Sequence, residues 1–260
     1  MMPICKEIRK DILRISSLSG HGHIPTCFSI VEILYAIYDT IRHDSKNPSW
    51  EDRDVFILSK GHASLAHYCV LAKFGYFNIK EVDSLGAFMS AFGGHEDRFK
   101  VPGVEVSCGS LGHGIGVAVG MGLAFKIKKI NRRVFTVIGD GEANEGSVWE
   151  AIMVAVNLKL DNLTIIYDNN MSHSRGLQIY NPSERFKAFG CEVVDIDGHN
   201  VHALKNEVVK RGEQVRVIVA NTKKGYGCQT FIRDHYAWHR RSPNDTEFNK
   251  LMEELDEEAI

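Results

Sequence analysis

Two oxygen-bearing side chains stand near the middle of the chain at a suggestive spacing. Asp140 lies in the turn Gly139-Asp140-Gly141, and Asn170 follows 30 positions later. Carboxylate and amide oxygens are hard donors, which Mg²⁺ and Ca²⁺ take, and Mg²⁺ usually completes its shell with phosphate oxygens and water. Gly139 and Gly141 would let the backbone come close to such phosphates. The pattern predicts a divalent cation that anchors a diphosphate.

The surrounding sequence predicts a βαβ unit that brings these side chains together. A β-branched run at 134–138 is followed by a helical stretch at about 147–158 and by a second run at 163–167. Strands joined by a crossover helix are parallel, so their carboxyl ends share the sheet edge at which open α/β folds bind ligands. The N-terminus of the crossover helix would also face the anion. Asp140 and Asn170 are therefore expected to meet.

The same pattern extends over most of the chain. Further β-branched runs without alternation lie at 54–58, 191–194 and 215–219, and helical stretches separate most of them. Such runs are typical of strands that are buried on both faces. We predict an α/β fold in which a parallel β-sheet carries helices on both faces.

Three helical features are predicted in more detail. The isoleucine spacing near the start predicts a helix, carried by Ile4, Ile8, Ile12 and Ile15. The segment Ser29-Ile30-Val31-Glu32 has the form of a capping box and predicts a helix start at Ser29. A third helix has small residues at every fourth position, Gly112, Gly116, Gly120 and Ala124. Its bare side could receive another helix or a ligand, and tight helix packing is the commoner use of such a stripe.

Domain organisation is predicted to be simple. Residues 1–243 show no internal repeat or low-complexity linker, which favours one continuous domain. Residues 244–260 form an acidic, helix-prone segment, which we predict to be a peripheral helix or a frayed tail.

Composition excludes several classes of partner and location. The chain has 31 basic and 33 acidic residues, so no overall field attracts nucleic acid or an anionic membrane. The six cysteines are far apart and include no C-x-x-C pair, which favours a reducing compartment. The first residues mix charges of both signs, unlike a signal peptide, and no apolar run is long enough for a membrane span. A cytoplasmic location is expected.

The turn and the asparagine pair carry a family resemblance. Neither a G-x-x-x-x-G-K-[ST] loop nor a G-x-G-x-x-G turn between a strand and a helix occurs. The sequence resembles the thiamine diphosphate enzymes, whose hallmark begins with GDG and ends with paired asparagines about thirty residues later. The resemblance implies that Asp140, the Asn170 side chain and the Ser172 carbonyl hold Mg²⁺, with Ca²⁺ or Mn²⁺ as substitutes. Gly141 would contact the diphosphate. Asn170 is preferred to Asn169 because the family's ligand is the last asparagine before the loop.

Further motifs narrow the resemblance to one branch. In chain order these motifs are Ser19-Gly20-His21, Ser59-Lys60-Gly61-His62-Ala63-Ser64, Gly93-Gly94-His95, Gly109-Ser110-Leu111-Gly112 and Lys223-Lys224-Gly225-Tyr226-Gly227. Together with the metal loop they look like the N-terminal half of transketolase. The GDG turn alone would also fit the alpha chains of 2-oxo acid dehydrogenases.

The resemblance assigns roles to four histidines. Moving a two-carbon ketol unit takes protons from sugar hydroxyls and returns them near neutral pH, where imidazole titrates. By resemblance, His21 and His95 contact the substrate's oxygens, and His62 reaches the cofactor and the donor. His239, after Trp238, would lie near the diphosphate and the reaction centre. The remaining histidines with an expected structural role are His23, His43, His67, His173, His199, His202 and His235.

The remaining site predictions also follow from the resemblance. Leu111 would pack against the cofactor, with Gly109 near its pyrimidine end. Ser174 is expected to bind the cofactor. Glu145 would reach across the dimer interface and is expected to have both a catalytic and a cofactor-binding role.

The resemblance further implies a missing half of the active site. In this family a glutamate from a second domain pairs with the aminopyrimidine ring, and that domain is not found in these 260 residues. We therefore predict the N-terminal subunit of a split transketolase, assembled as α2β2 with a partner that carries the pyrimidine-binding domain. The alternatives are the alpha subunit of a 2-oxo acid decarboxylating complex, deoxyxylulose phosphate synthase as a weaker rival, and a noncatalytic thiamine-binding subunit.

The sequence departs from the family pattern at four places. The Pro-Gly after Ser-Gly-His is replaced by Gly22-His23, a glutamine by His113, an acidic residue by Arg175, and the glycine after His239 by Arg240-Arg241. One hypothesis is that Arg175 and Arg240 recognise an acceptor more anionic than a simple sugar monophosphate, such as a nucleotide-linked sugar. The alternative is that these arginines are solvated or form ion pairs at a subunit contact.

Overall fold

The computed structural model describes residues 1–257, and a five-stranded parallel sheet lies at the centre of that range. The strands are β1 (Val55–Leu58), β2 (Val134–Gly139), β3 (Leu163–Asn169), β4 (Glu192–Asp197) and β5 (Arg216–Asn221). Their order across the sheet is β1-β2-β3-β5-β4, and every neighbouring pair is parallel. The predicted parallel α/β fold is confirmed.

The helices of the described range surround this sheet. They are α1 (Pro3–Ser19), α2 (Ile24–Ser29), α3 (Val31–Tyr38), α4 (Ser64–Lys73), α5 (Gly114–Ile127), α6 (Gly146–Asn157), α7 (Pro182–Ala188), α8 (Val201–Val208), α9 (Gln229–Arg233) and α10 (Asp245–Asp256). Short 3₁₀ helices lie at Gly61–Ala63, Ile79–Ser84 and Glu142–Asn144. Between Met1 and Glu257, none of the helices is long and apolar enough to cross a membrane.

Side chains on the two faces of the sheet enter two separate hydrophobic cores. Phe56 and Leu58 of β1 pack into the core formed with α1 to α4, α8, α9 and α10. Val55 and Ile57 pack into the core formed with α5, α6 and α7. Because successive strand residues point to opposite faces, the fully buried strands β1, β2 and β3 need apolar residues at nearly every position. Helices therefore cover both faces, as predicted.

Strand β4 departs from the prediction that every strand is buried on both faces. It lies at the edge of the sheet and pairs with β5 alone among the described strands. All six of its residues are exposed or half-buried. Its exposed residues are the charged Glu192, Asp195 and Asp197, so the β-branched pair Val193 and Val194 predicts the strand but not its burial.

The predicted capping box at Ser29 is wrong. Ser29 is the last residue of α2, and α3 begins at Val31 without a side-chain cap. The Ser29 hydroxyl donates to the Thr26 carbonyl at 2.9 Å and to Asp168 Oδ2 at 2.8 Å. The Ser29 hydroxyl thus donates to a buried carboxylate instead of accepting from the backbone amides at the start of α3, and a hydrogen bond to an ionised group is stronger than a neutral one.

The acidic C-terminal segment forms a docked helix over the part that is described. Asn244 caps α10 through a capping box with Glu247, and Leu251 and Leu255 are buried in the core that contains α1. The end of the predicted tail, residues 258–260, lies outside the described residues. A domain boundary at residue 243 stays a prediction.

Candidate active site

The carboxyl ends of β2 and β3 bring Asp140 and Asn170 together. Gly139 pairs with Asp168 in the parallel register, so the two strands end side by side. The backbone amide of Ser172 donates to Asp140 Oδ2 at 2.7 Å and lies 3.0 Å from Asn170 Oδ1. Two acceptor oxygens thus converge on one polar hydrogen, which marks a point favourable to positive charge.

The side chain of Asn170 is held in one orientation. Its Nδ2 donates to Asp168 Oδ2 at 2.7 Å and to the Ser29 hydroxyl at 3.2 Å, which turns Oδ1 toward Asp140. Asn169 points elsewhere, since its Nδ2 donates to Asn221 Oδ1 at 2.7 Å. The neighbouring asparagines are therefore distinct, and Asn170 is the one that stands beside Asp140.

Asp168 is the centre of this network and was not singled out from the sequence. Its carboxylate is fully buried and contacts Lys60 Nζ at 2.5 Å, and Lys60 is itself only 1% exposed. The Thr222 hydroxyl donates to the other carboxylate oxygen. A buried charge must be paired and hydrogen-bonded to be tolerated. A carboxylate inside an otherwise apolar strand, next to the asparagine pair, was the available signal.

A second buried carboxylate, that of Glu142, connects the Gly139-Asp140-Gly141 turn to two other loops. Glu142 Oε1 accepts hydrogen bonds from the Ser59 hydroxyl and from the Gly112 amide, and Oε2 accepts from the Gly139 amide at 3.1 Å. Burial raises the pKa of this carboxyl group, against the effect of these donors. Glu142 therefore fixes the GDG turn relative to two other sequence motifs.

His173, for which the sequence predicted only a structural role, contacts the side chain of Asp140. Its Nδ1 lies 2.6 Å from Asp140 Oδ2. Its Nε2 accepts from the Ile179 amide at 3.2 Å, which places the ring proton on Nδ1 when the imidazole is neutral. The Nδ1–H group of His173 therefore lies beside the Asp140 carboxylate.

A cleft of about 550 Å³ opens over Asp140 and Asn170. Its lining is formed by His23, Thr26, Lys60, His62, His95, Gly109, Leu111, Gly139, Asp140, Gly141, Glu142, Asn170, Ser172, His239 and Arg240. Most of the predicted site residues thus share one cavity, although they come from widely separated segments of the chain.

The cleft contains a cluster of imidazoles. The ring of His23 lies 5.3 Å from the rings of both His62 and His239, measured between centroids. Burial, followed by neighbouring cationic and imidazole groups, lowers the pKa of His62 to about 2 and the pKa values of His23 and His239 to about 4. The three rings are therefore neutral at pH 7, so each can accept a hydrogen bond through its unprotonated ring nitrogen.

His21 and His23 have exchanged the places expected from the motif. His21 packs behind the Gly93-Gly94-His95 loop, where a Cβ on Gly94 would lie 2.5 Å from its ring. His23 instead reaches the cleft, from a left-handed backbone position at φ 65°. The signal was present in the sequence, since a second histidine follows the Ser-Gly-His motif after a single glycine.

Two other predicted residues lie outside the cleft lining. Glu145 is exposed and occupies the residue before α6. The Ser174 hydroxyl is hydrogen-bonded to the Tyr236 hydroxyl. Within this chain neither side chain meets the cavity, and their predicted contacts with the cofactor stay predictions.

The donor set suits a cation that also binds phosphate. Among residues 1–257, no cluster of three or more His, Cys, Asp and Glu could hold a metal ion. Asp140 and Asn170 supply only part of an octahedron, so phosphate and water must supply the rest. A Cβ on Gly141 would contact only the Ser172 hydroxyl, at 3.5 Å, which leaves room for a ligand.

The positively charged side chain of Lys224 lies near this space. Lys224 is buried, and its Nζ lies 3.2 Å from His239 Nδ1. Burial and the nearby Lys60 charge lower its pKa to about 8. An entering anion would offset the desolvation of this ammonium group. The residues present therefore fit a metal-bound diphosphate, and the Ser172 carbonyl as a ligand stays a prediction.

Comparison with known proteins identifies what this arrangement is similar to. A family model described as "Transketolase, thiamine diphosphate binding domain" matches residues 5–255. An apulose-4-phosphate transketolase subunit from Actinobacillus succinogenes is 36% identical, and the match covers 97% of this chain and 95% of that protein. The 6-deoxy-6-sulfo-D-fructose transketolase subunit SqwG from a Clostridium species is also 36% identical, over 97% of this chain and 94% of that protein.

A solved structure extends the similarity to three dimensions. Transketolase from Campylobacter jejuni superposes with a TM-score of 0.88 at 27% sequence identity. The match covers 98% of this chain but only 43% of the Campylobacter chain. The similarity is therefore to one part of that longer protein.

Proposed function

This chain belongs to the transketolase family as a thiamine diphosphate-binding domain, and from that premise we propose that it is the N-terminal subunit of a two-subunit transketolase. It would transfer a two-carbon ketol unit from a ketose or ketose phosphate to an aldose acceptor. The observation that carries this proposal is the shared cleft, in which the cation ligands Asp140 and Asn170 face the imidazoles of His62, His95 and His239.

The cleft's cation site has a defined part in this activity. When bound, thiamine diphosphate supplies the carbon nucleophile that cleaves the donor beside its carbonyl group. Asp140, Asn170 and the Ser172 carbonyl would hold Mg²⁺, which would anchor a diphosphate at the carboxyl ends of β2 and β3. Lys224 and the Gly141 backbone would stabilise the same anion.

The imidazoles are suited to bind the substrate's hydroxyl groups. His62 and His239 are neutral at pH 7 because burial and adjacent cations lower their pKa values. A neutral imidazole can accept a hydrogen bond from a sugar hydroxyl, which is the contact that proton transfer during donor cleavage requires. His95 is exposed in the lining of the cleft, where it can contact the oxygens of an entering sugar. His23 joins them as a substrate contact.

Several observations support a requirement for a partner chain. The two relatives of similar length are each named as one subunit of a transketolase. On α5, Gly116 and Gly120 face open space, and Val117 is 41% exposed. On the adjoining α6, Met153 is 52% exposed. A bare, apolar two-helix face beside Glu145 suits an α2β2 assembly in which the partner brings the pyrimidine-binding domain.

The proposal also includes a substrate class and a cellular location for the protein. Both relatives act, by name, on sugars that carry a phosphate or sulfo group, and we assign this chain a sugar of the same anionic kind. All six cysteines are free and five of them are buried, which is compatible with a reducing cytoplasm. The family match favours ketol transfer over the decarboxylating alternative.

The test is reconstitution. The chain is purified alone and together with a separately encoded C-terminal transketolase subunit. Ketol transfer from D-fructose 6-phosphate to D-ribose 5-phosphate is then followed with Mg²⁺ and thiamine diphosphate. Transfer is expected only in the mixture.

Three other outcomes would change the proposal. Robust transfer by the chain alone contradicts the partner requirement. Release of CO₂ from pyruvate by the mixture, without ketol transfer, favours the decarboxylase alternative. Cofactor binding without activity in any pairing favours a noncatalytic role.

A further inference from the structure

Of the three arginines that depart from the family pattern, two are engaged by other side chains of this chain. Arg241 donates two hydrogen bonds of 2.8 Å to Glu247, and its guanidinium lies 3.5 Å from the centroid of the Trp238 ring. Arg175 stacks over Tyr236 at 4.1 Å from the ring centroid. These contacts account for both side chains without a ligand.

Arg240 differs from both. It is exposed and lines the cleft beside His239 and His23. Within the part of the chain that the structure describes, its guanidinium has no hydrogen bond and no ion pair. A guanidinium that borders an active-site cleft without a partner retains all five of its N–H donors for a ligand.

The position of Arg240 is set by its main chain. A Cβ on Gly22 would lie 2.2 Å from the Arg240 carbonyl oxygen and 2.9 Å from its Cα, so the two backbones are in direct contact. This contact holds the segment after His239 against the segment before His23. Because the anchor is main chain against main chain, the Arg240 side chain is not needed to hold the loop in place.

The electrostatic setting favours an anion at this position. The charge of Arg240 contributes, after burial, to the lowered pKa values of His23 and His239, so it acts within the cleft. Lys60 is paired with Asp168, and Lys224 contacts His239 Nδ1. Arg240 is therefore a further cation at the cleft, and within the described residues its guanidinium has no such partner.

We propose that Arg240 is a specificity-determining residue that binds an anionic group, a phosphate, sulfonate or carboxylate, on the sugar substrate. This inference rests on the proposed ketol transfer and deepens it. A planar guanidinium matches the geometry of such oxyanions through paired N–H···O bonds, which an ammonium group or a neutral side chain does not reproduce. A sugar that lacks the anion would still meet the imidazoles but would gain nothing from Arg240.

The experiment uses the assembled complex and matched acceptors, D-erythrose 4-phosphate and D-erythrose. Arg240→Ala is expected to raise the KM of the phosphorylated acceptor about 10- to 100-fold more than that of the neutral sugar, as for loss of a charged hydrogen bond. Arg240→Lys should recover part of that difference. Arg241→Ala is the matched control, because it removes the same charge one residue away and should leave the KM ratio as in the wild type.

Other outcomes would overturn the inference. An equal change in KM for both acceptors in Arg240→Ala contradicts it, and so does the same ratio shift in Arg241→Ala. Weaker binding of thiamine diphosphate to Arg240→Ala, followed by tryptophan fluorescence, would assign Arg240 to the cofactor instead. Calorimetric titration of the cofactor-loaded complex with D-fructose 6-phosphate separates the proposed role of Arg240 from the proposed ketol transfer. Binding that the wild type shows and Arg240→Ala loses supports Arg240 even without transfer, whereas equal binding contradicts it.

Discussion

The floor and the mouth of the cleft are built in different ways. The floor consists of Asp140, Asp168 and Asn170, which are buried and joined by side-chain hydrogen bonds to neighbours from several elements. The mouth consists of His23, His239 and Arg240, which are half-buried or exposed and lie on loops. The floor is fixed by many mutually dependent contacts, whereas the mouth is held mainly by main-chain packing.

This difference indicates that cofactor binding and substrate specificity depend on separate parts of the cleft. A cation and a diphosphate are the same in every turnover, so their ligands gain from a rigid network. Substrates differ between enzymes of one family, and side chains that few contacts constrain can be exchanged at little cost in stability. The floor should therefore resist substitution, and the mouth should tolerate it.

The largest expected effect is on stability at the floor. Asp168→Ala removes the partner of buried Lys60 and an anchor of Asn170, so the free energy of unfolding should fall by about 3–5 kcal/mol. Arg240→Ala at the mouth should change it by less than about 0.5 kcal/mol. Urea unfolding monitored by circular dichroism measures both. Equal losses would break the comparison, and the double variant Lys60→Met, Asp168→Leu should recover part of the loss.

A second effect separates the adjacent asparagines. Asn170→Ala should weaken Mg²⁺-dependent binding of thiamine diphosphate by about 100-fold or more, because it would remove the proposed ligand oxygen and outer-sphere losses alone reach that range. Asn169→Ala is the matched control, since its side chain contacts Asn221 instead of the cleft. Titration of the reconstituted complex with Mg²⁺ at fixed cofactor gives both constants. Similar losses in both variants would show that Asn170 has no special role.

The smallest effect is the acid response of the imidazole cluster. Folding lowers the pKa values of His62, His23 and His239 below the unfolded value of about 6.5, so the folded state binds fewer protons and loses stability as the pH falls below 6.5. The loss should reach at most about 1.4 kcal/mol per pH unit for His62 and less for the two more exposed rings, which water screens.

Urea unfolding at pH 7.5, 6.0 and 5.0 tests this response. The variant His62→Asn should lose stability less steeply than the wild type over that range, because it removes the most strongly shifted group. A wild-type stability that is constant between pH 6.5 and 5 would contradict the assigned pKa directions.

The sequence predicted the floor better than the mouth for a physical reason. Asp140 and Asn170 follow consecutive strands of one βαβ unit, and the parallel register brings them together without any further contact. The helices on both faces followed from local residue patterns in the same way. These features depend on neighbours along the chain, so one stretch of sequence is enough to infer them.

The features that the sequence did not predict depend on contacts between distant segments. Which of His21 and His23 enters the cleft is decided by the packing of His21 against Gly94. The engagement of Arg175 and Arg241 depends on aromatic and acidic neighbours that no motif connects to them. The structural role of Ser29 likewise depends on a carboxylate far along the chain. Periodicity and motif spacing carry no information about such pairings.

The contact between Gly22 and Arg240 has a practical consequence for protein engineering. Since the two main chains touch, any side chain at position 22 would push the 239–241 loop outward and move His239 with it. Position 240 has no such restriction, because its side chain faces the open cleft. A combinatorial library intended to redirect acceptor choice should keep the glycine constant and randomise the arginine. Variation at both positions together would produce mostly displaced loops, and altered selectivity in such a library could not be attributed to the side chain at 240.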